Sequence, residues 1–230
     1  MKSTKIEWCD ATVNPVVGCT KGCVYCYARR LNQRFKWIED FSVPQFFPER
    51  LKQLFTKNPK RIFINSMSDI ADWKREWLGK TLNEIHRNPQ NRYLFLTKRP
   101  GAYLPWTQFK ANYIWCGVTV TSNNEMDSRD LDMMRLIKET GEGVNWFFSI
   151  EPMLGPVEIS AATLKGLKWI ILGAETGNRK GKVSPSLLWI RDVVAAADKF
   201  GIPVFMKNSL RDIVPDDEFR TEFPKGLQLE

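Results

Sequence analysis

NWFFSIEPMLGPVEISAATLKGLKWIILGAETG, residues 145–177, holds two short apolar runs, 145–150 and 168–173, each ending in polar residues and separated by a short irregular stretch at 156–166. An apolar run too short for a helix, then polar residues, then a covering segment, is the signature of strand–helix units and a parallel sheet. The same form recurs outward along the chain, with strand candidates at 12–17 (TVNPVV), 61–66 (RIFINS), 92–97 (RYLFLT), 113–120 (YIWCGVTV) and 202–207 (IPVFMK). Helical periodicity fills 26–37, 70–87, 125–140 and 185–200, while 101–112 is short or irregular. Ser184 and Pro185 are placed as N-cap and first residue of the last long helix, and Gly201 closes it.

Successive strands lie about 25 to 50 residues apart, which excludes a short-repeat solenoid. The pattern predicts an α/β fold: a partial TIM-like (β/α)6-7 barrel of parallel strands, short of the usual eight and open on one side. A doubly wound sheet is the rival. Residues 1–208 form the expected barrel domain, with 209–230 as a C-terminal tail packed on it.

Both architectures put function at the C-terminal ends of the strands, and those ends are polar here. They read Asn65-Ser66-Met67-Ser68-Asp69, Thr97-Lys98-Arg99, Thr119-Val120-Thr121-Ser122-Asn123, Ser149-Ile150-Glu151, Gly173-Ala174-Glu175-Thr176-Gly177 and Lys207-Asn208. Each alone is compatible with a helix cap or turn. Six together are expected to serve one shared pocket, with Glu151, Glu175 and Lys207 as candidate catalytic groups.

Charge is uneven. Residues 1–110 carry 20 Lys and Arg against 9 Asp and Glu, a balance of +11, and residues 111–230 carry 14 against 17, a balance of −3. A basic half suits a polyanionic partner, because binding to phosphates releases counterions. No window of about 18 uncharged apolar residues exists, and MKSTKIEWCD lacks an apolar signal core, so a cytoplasmic protein without membrane contact is expected.

The basic half also holds GCTKGCVYCYARR, residues 18–30, where Cys19, Cys23 and Cys26 crowd together. Five cysteines without export signals make a disulfide framework a poor explanation. Three thiols on one tight loop suit either a tetrahedral metal, with Cys9 as a distant fourth ligand, or an iron–sulfur cluster in which one iron keeps an open site. His86, the single histidine, lies in a helical stretch far from the loop and reads as an exposed helix residue.

The spacing Cys19-x-x-x-Cys23-x-Tyr25-Cys26, after a first strand, resembles the signature of the radical S-adenosylmethionine (SAM) superfamily. The stretches IEWCDATVNPVVGC (6–19), FINSMSD (63–69), LTKRP (96–100), WCGVTV (115–120), SIEPMLGP (149–156) and ILGAETG (171–177) further resemble an uncharacterised three-cysteine-motif family of phage and bacterial proteins. The resemblance implies a [4Fe-4S] cluster held by Cys19, Cys23 and Cys26, SAM chelated to the fourth iron, and a 5′-deoxyadenosyl radical that takes hydrogen from substrate. It also implies an electron donor such as flavodoxin or ferredoxin.

By position, the resemblance places Tyr25 beside adenine and Asp69, with Ser66 and Ser68, at the SAM amine. Lys98 falls near the SAM carboxylate, an arrangement similar to that of spore photoproduct lyase. Thr119, Thr121 and Ser122 are assigned to the carboxylate or ribose, and Ser149 and Glu151 to the ribose or substrate. The Gly-Gly-Glu stretch that similar enzymes carry after their second strand is absent there, and Gly173-Ala174-Glu175 comes too late in the chain to replace it. Alternation along 113–120 turns Cys116 away from the pocket and into the core.

Aromatics beside cations, Trp37, Trp73-Lys74-Arg75, Trp77 and Trp106, together with Arg29, Arg30, Arg34 and the loop Asn178-Arg179-Lys180-Gly181-Lys182, favour a nucleic acid or nucleotide substrate such as a nucleobase in DNA or RNA. A base inside a duplex would first have to be flipped out. The alternatives are a radical SAM enzyme acting on a peptide or small molecule, a non-catalytic zinc- or cluster-stapled nucleic-acid-binding module, and an inactive barrel kept as an interaction scaffold.

Overall fold

The computed structural model describes residues 4–104 and 109–229; Trp106 lies outside the described residues. The chain divides into two compact units, residues 1–97 with 229–230, and residues 98–228. The seven main strands are parallel and follow one another in sheet order without reversal. That is the expected α/β class, a partial TIM-like barrel open on one side; the unreversed order removes the switch point that defines the doubly wound rival.

In the first unit, β1 (Ala11–Thr12) is followed by β2 (Val16–Val17), α1 (Tyr27–Phe35) and β3 (Gln45–Phe46). Then come β4 (Arg61–Phe63), α2 (Arg75–His86) and β5 (Arg92–Thr97). Strand β4 pairs in parallel with β1 on one side and β5 on the other. The expected single strand at 12–17 is in fact two. Val13 N–H still bonds the Phe63 carbonyl, but Pro15 has no N–H to continue the ladder, and Val16–Val17 turns away to pair antiparallel with β3.

The expected strand at 61–66 is also shorter. Past Phe63, Ile64 N–H reaches the Leu94 carbonyl, and then the Asn65 side chain takes over: its Oδ1 accepts from Leu96 N–H at 2.9 Å and its Nδ2 donates to the Leu96 carbonyl at 2.5 Å. A side-chain amide thus stands in for a peptide, and the main chain is released to form the 65–69 loop. Leu78, Thr81, Leu82 and Ile85, at helical spacing, are the buried face of α2, and His86 is exposed as expected.

The second unit runs β6 (Ile114–Thr119), α3 (Asn123–Thr140), β7 (Asn145–Ile150), α4 (Ala161–Leu164), β8 (Leu167–Leu172), α5 (Leu187–Asp198) and β9 (Val204–Met206). Strands β6 and β7 are buried along their whole length, as parallel strands covered on both faces must be. Cys116 is buried in β6 as expected. The cap of α5 is Ser186, whose Oγ accepts from Trp189 N–H, and not Ser184; Pro185 therefore precedes the cap. Gly201 takes φ +64° just beyond the helix, in its expected closing role.

The 209–228 stretch belongs to this second unit. Thr221 bridges Phe205 antiparallel, Met206 N–H bonds the Arg220 carbonyl, and Trp169 Nε1 donates to the Glu222 carbonyl at 2.8 Å. The tail thereby satisfies the outer edge of β9, which would otherwise present unpaired backbone groups. No helix among the described residues is long and apolar enough to cross a membrane.

Candidate functional site

The cysteine loop of the first unit is braced from both flanks. Gly18 forms a parallel bridge with Ser68 and donates its N–H to the Met67 carbonyl at 3.0 Å. On the other side Cys19 N–H bonds the Phe41 carbonyl at 2.7 Å. Gly18 sits at φ +115°, and a Cβ there would lie 2.7 Å from Pro44 Cα, so only glycine lets the chain pass. Thr20 donates through both N–H (2.9 Å) and Oγ1 (2.7 Å) to the Asp72 carboxylate, and the Tyr27 hydroxyl donates to the Ser66 carbonyl at 2.6 Å.

All three thiols of the loop are half-buried, and none is in a disulfide. Cys19 Sγ accepts from Lys21 N–H at 3.5 Å, and Cys26 Sγ caps α1 by accepting from Arg29 N–H at 3.4 Å. Cys19 and Cys26 pack against the buried cluster of Val17, Ala28, Ile38, Phe41 and Met67. Burial pushes the Cys19 thiol up to about 12, so metal binding would have to displace its proton. Cys9 is buried apart, its thiol toward the Ile6 carbonyl at 3.9 Å.

The donor set suits an iron–sulfur cluster in kind: three sulfurs on a loop of fixed path, two of them already accepting backbone N–H bonds of the sort that tune such centres. As the side chains stand, no three His, Cys, Asp or Glu among the described residues are gathered closely enough to hold one metal ion. Binding would therefore require the thiols to turn toward a common point on a loop whose backbone is already set.

Next to the loop, the 65–69 segment is closely knit. Asn14 Oδ1 accepts from Met67 N–H at 2.9 Å, and its amide pairs with Ser66 Oγ. Ser68 Oγ accepts from Trp73 Nε1 at 2.9 Å. Buried Asp69 caps the 3-10 turn at Ile70–Asp72 through Ala71 N–H and also accepts from Thr97 Oγ1 at 2.5 Å. The structure thus brings Ser66, Ser68 and Asp69 together beside the cysteine loop with these groups hydrogen-bonded within the protein. Tyr25 is half-buried on the loop itself.

The remaining candidates are in the second unit. Buried Arg129 of α3 donates to the Thr119 carbonyl (2.6 Å), the Lys98 carbonyl (3.1 Å) and Glu125 Oε2 (2.6 Å). Glu125 in turn accepts from Thr121 N–H (3.1 Å) and Oγ1 (2.6 Å). Burial alone would raise the Glu125 carboxyl, but the Arg129 and Thr121 hydrogen bonds outweigh it and leave it below the usual range. Thr119, Thr121 and Ser149 are buried, whereas Lys98 and Ser122 are half-buried.

Glu151 and Lys207 form an ion pair across Gly173, where a Cβ would come within 3.2 Å of Glu151 Cγ and 3.1 Å of Lys207 Cδ. Glu175 is gripped by Arg179 through two hydrogen bonds, at 2.6 and 2.8 Å, which hold its carboxyl below the usual range. Arg179 also donates to the Lys180 and Gly181 carbonyls. It is therefore bound into its own loop, and Lys180 and Lys182 are the exposed cations there.

A family model described as a protein of unknown function, DUF5131, matches residues 3–212. The chain belongs to that family. The DUF5131 match takes in the cysteine loop, all seven main strands and every candidate named above, and its description assigns no activity to them. Searches of curated proteins and of solved structures find no match.

Several structural residues of this DUF5131 chain escape a linear reading. Glu125 and Arg129 do stand four apart on a helix, a spacing that signals an ion pair. Nothing in that spacing says that the pair is turned inward onto two strand-end carbonyls. Asn14, Thr20 and Asp72 carry no signal at all, since their partners lie 52 or 53 residues away in sequence.

Proposed function

We propose that the protein is a radical SAM enzyme in which Cys19, Cys23 and Cys26 hold a four-iron cluster. The observation that carries the proposal is the cysteine loop itself, three thiols within eight residues at the end of the first strand region, stapled to the β4 end loop through Gly18–Ser68 and Tyr27–Ser66. Such bracing is what a site needs if three ligands are to meet one cofactor without ordering a flexible loop at the moment of binding.

A cluster held by the three cysteines would supply the chemistry of one-electron reductive cleavage of SAM, giving methionine and a 5′-deoxyadenosyl radical able to abstract hydrogen from substrate. The chain's own residues do the rest. The Lys21 and Arg29 amides donate to sulfur, and the Val17–Ile38–Phe41 cluster covers one side of Cys19 and Cys26. Asp69, Ser66 and Ser68 border the loop and would be the polar groups to receive the amine of SAM, and an electron donor of the flavodoxin or ferredoxin class would serve turnover. The favoured substrate is a nucleobase in a nucleic acid.

Anaerobic reconstitution with iron and sulfide tests the proposal. A brown protein with about four irons per chain, which releases 5′-deoxyadenosine from SAM on reduction, is the expected result, with both properties lost in Cys23→Ala. A colourless protein that takes up only zinc would overturn it.

A further inference from the structure

The geometry points to a second surface on the first unit: an exposed stack on the C-terminal half of α1 that binds single-stranded nucleic acid. Phe35 and Trp37 stack with ring centroids 5.2 Å apart and planes 24° from parallel, and the Arg34 guanidinium lies 5.2 Å from the Phe35 ring. Both aromatics face solvent, Phe35 at 53% and Trp37 at 41% of their full exposure. Large aromatic rings side by side in water forgo the burial that normally stabilises a fold, and paired exposure of this kind marks a binding surface.

The backbone holds them there. Lys36, between the two rings, is the one non-glycine residue with positive φ among the described residues, at φ 53° and ψ 42°. It is kept in that conformation by Asn32, whose carbonyl accepts from Lys36 N–H at 2.7 Å. The Asn32 side chain is buried and clamps Ile38 from both sides, Nδ2 to its carbonyl at 2.9 Å and Oδ1 to its N–H at 3.1 Å. With Ile38 pinned in the core and Lys36 left-handed, the turn leaves Phe35, just before Lys36, and Trp37, just after it, outward.

Charge decides the partner. The segment YARRLNQRFK, residues 27–36, contains four cations and no acid. Arg30 and Arg34 stand four apart on one side of α1, where like charges repel, and Arg29 and Arg30 lie near the positive end of the helix dipole. Among the described residues no ion pair engages Arg30, Arg34 or Lys36; the acids that follow, Glu39 and Asp40, lie beyond the turn, with Asp40 bound to Ser42. A polyanion would relieve this repulsion. Cations flanking a flat aromatic pair match a strand whose phosphates track the helix while unpaired bases stack on Phe35 and Trp37. A duplex hides its base faces and cannot use the stack.

This inference rests on the proposed function for its meaning, since it names the substrate class of that enzyme, yet it is testable without the cluster. Fluorescence anisotropy with oligo(dT) and oligo(rU) of about 20 nucleotides, and with a duplex of equal length, reads binding on the intact chain. Binding of one or both single strands is expected, with the dT and rU arms separating DNA from RNA. Phe35→Ser/Trp37→Ser should weaken it at least about fivefold, the lower end of the loss of one base–aromatic stack. Arg34→Gln should lower the salt slope by about 0.7, one phosphate's share on a single strand.

Unchanged thermal unfolding of the double variant, expected because both rings are exposed, ties any loss to the surface. No single-strand binding at low salt, duplex binding that equals it, or concentration-dependent dimerisation that the double variant abolishes would each overturn the inference. SAM cleavage by the double variant separates the two proposals: cleavage without oligonucleotide binding sinks only the surface, and binding without an assembled cluster sinks only the radical chemistry.

Discussion

Replacing Arg129 with methionine removes a guanidinium that ties two strand-end carbonyls and one carboxylate together. Its side chain is 5% exposed and that of Glu125 is 28% exposed. Taking one partner from a buried pair costs about 3–5 kcal/mol, because the remaining charge is stranded. Glu125 is open enough to recover some hydration, which puts the expected loss at the lower end, about 3 kcal/mol, or a fall in Tm of about 6–12 °C for a chain of this size. Urea unfolding of Arg129→Met, Glu125→Gln and the double variant measures it, with a coupling of about 1–3 kcal/mol expected from the cycle.

The pH dependence has a definite sign. The Glu125 carboxyl lies below its ordinary 4.5 in the folded chain, so the unfolded state binds its proton first as pH falls. Its contribution is complete above pH 4.5 and is lost as pH drops through the folded value. The stability difference between parent and Glu125→Gln should therefore shrink on acidification. An Arg129→Met variant within about 0.5 kcal/mol of the parent, the range of an ordinary surface substitution, would refute the reasoning.

Gly18→Ala forces a Cβ to within 2.7 Å of the Pro44 backbone at positive φ, and should cost about 2–4 kcal/mol in denaturant unfolding; under the proposed function it should also lower iron uptake on reconstitution. Glu175→Gln loses half of a bidentate pair and should loosen the 178–182 loop, read as faster tryptic cleavage after Lys180 or Lys182; equal rates would show that Arg179 holds the loop through the Lys180 and Gly181 carbonyls alone. Cys116 is fully buried and its thiol is raised well above the ordinary range by that burial, so iodoacetamide should leave it unlabelled until the chain unfolds, as peptide mass spectrometry would show.

Much of the fold is legible in the linear chain because its signals are local. The runs 92–97 and 145–150 become strands with the same bounds, and Cys116 is in the core, since a short apolar run needs only cover on both faces to be a buried parallel strand. The crowding of Cys19, Cys23 and Cys26 is likewise visible as spacing alone, and so is the i, i+4 pairing of Glu125 with Arg129.

Tertiary structure decided what depends on partners distant in sequence. Val16–Val17 leaves the first strand because β3, some 29 residues later, supplies its hydrogen bonds. Asn65 ends β4 because Leu96 accepts its side chain in place of a peptide. Asp69, by letters the best match for an ammonium, is held in place by Thr97 and Ala71, and Arg179 turns from open loop to Glu175. A buried donor or acceptor takes whichever partner the packed chain brings within about 3 Å, and residue type and spacing carry no record of that choice.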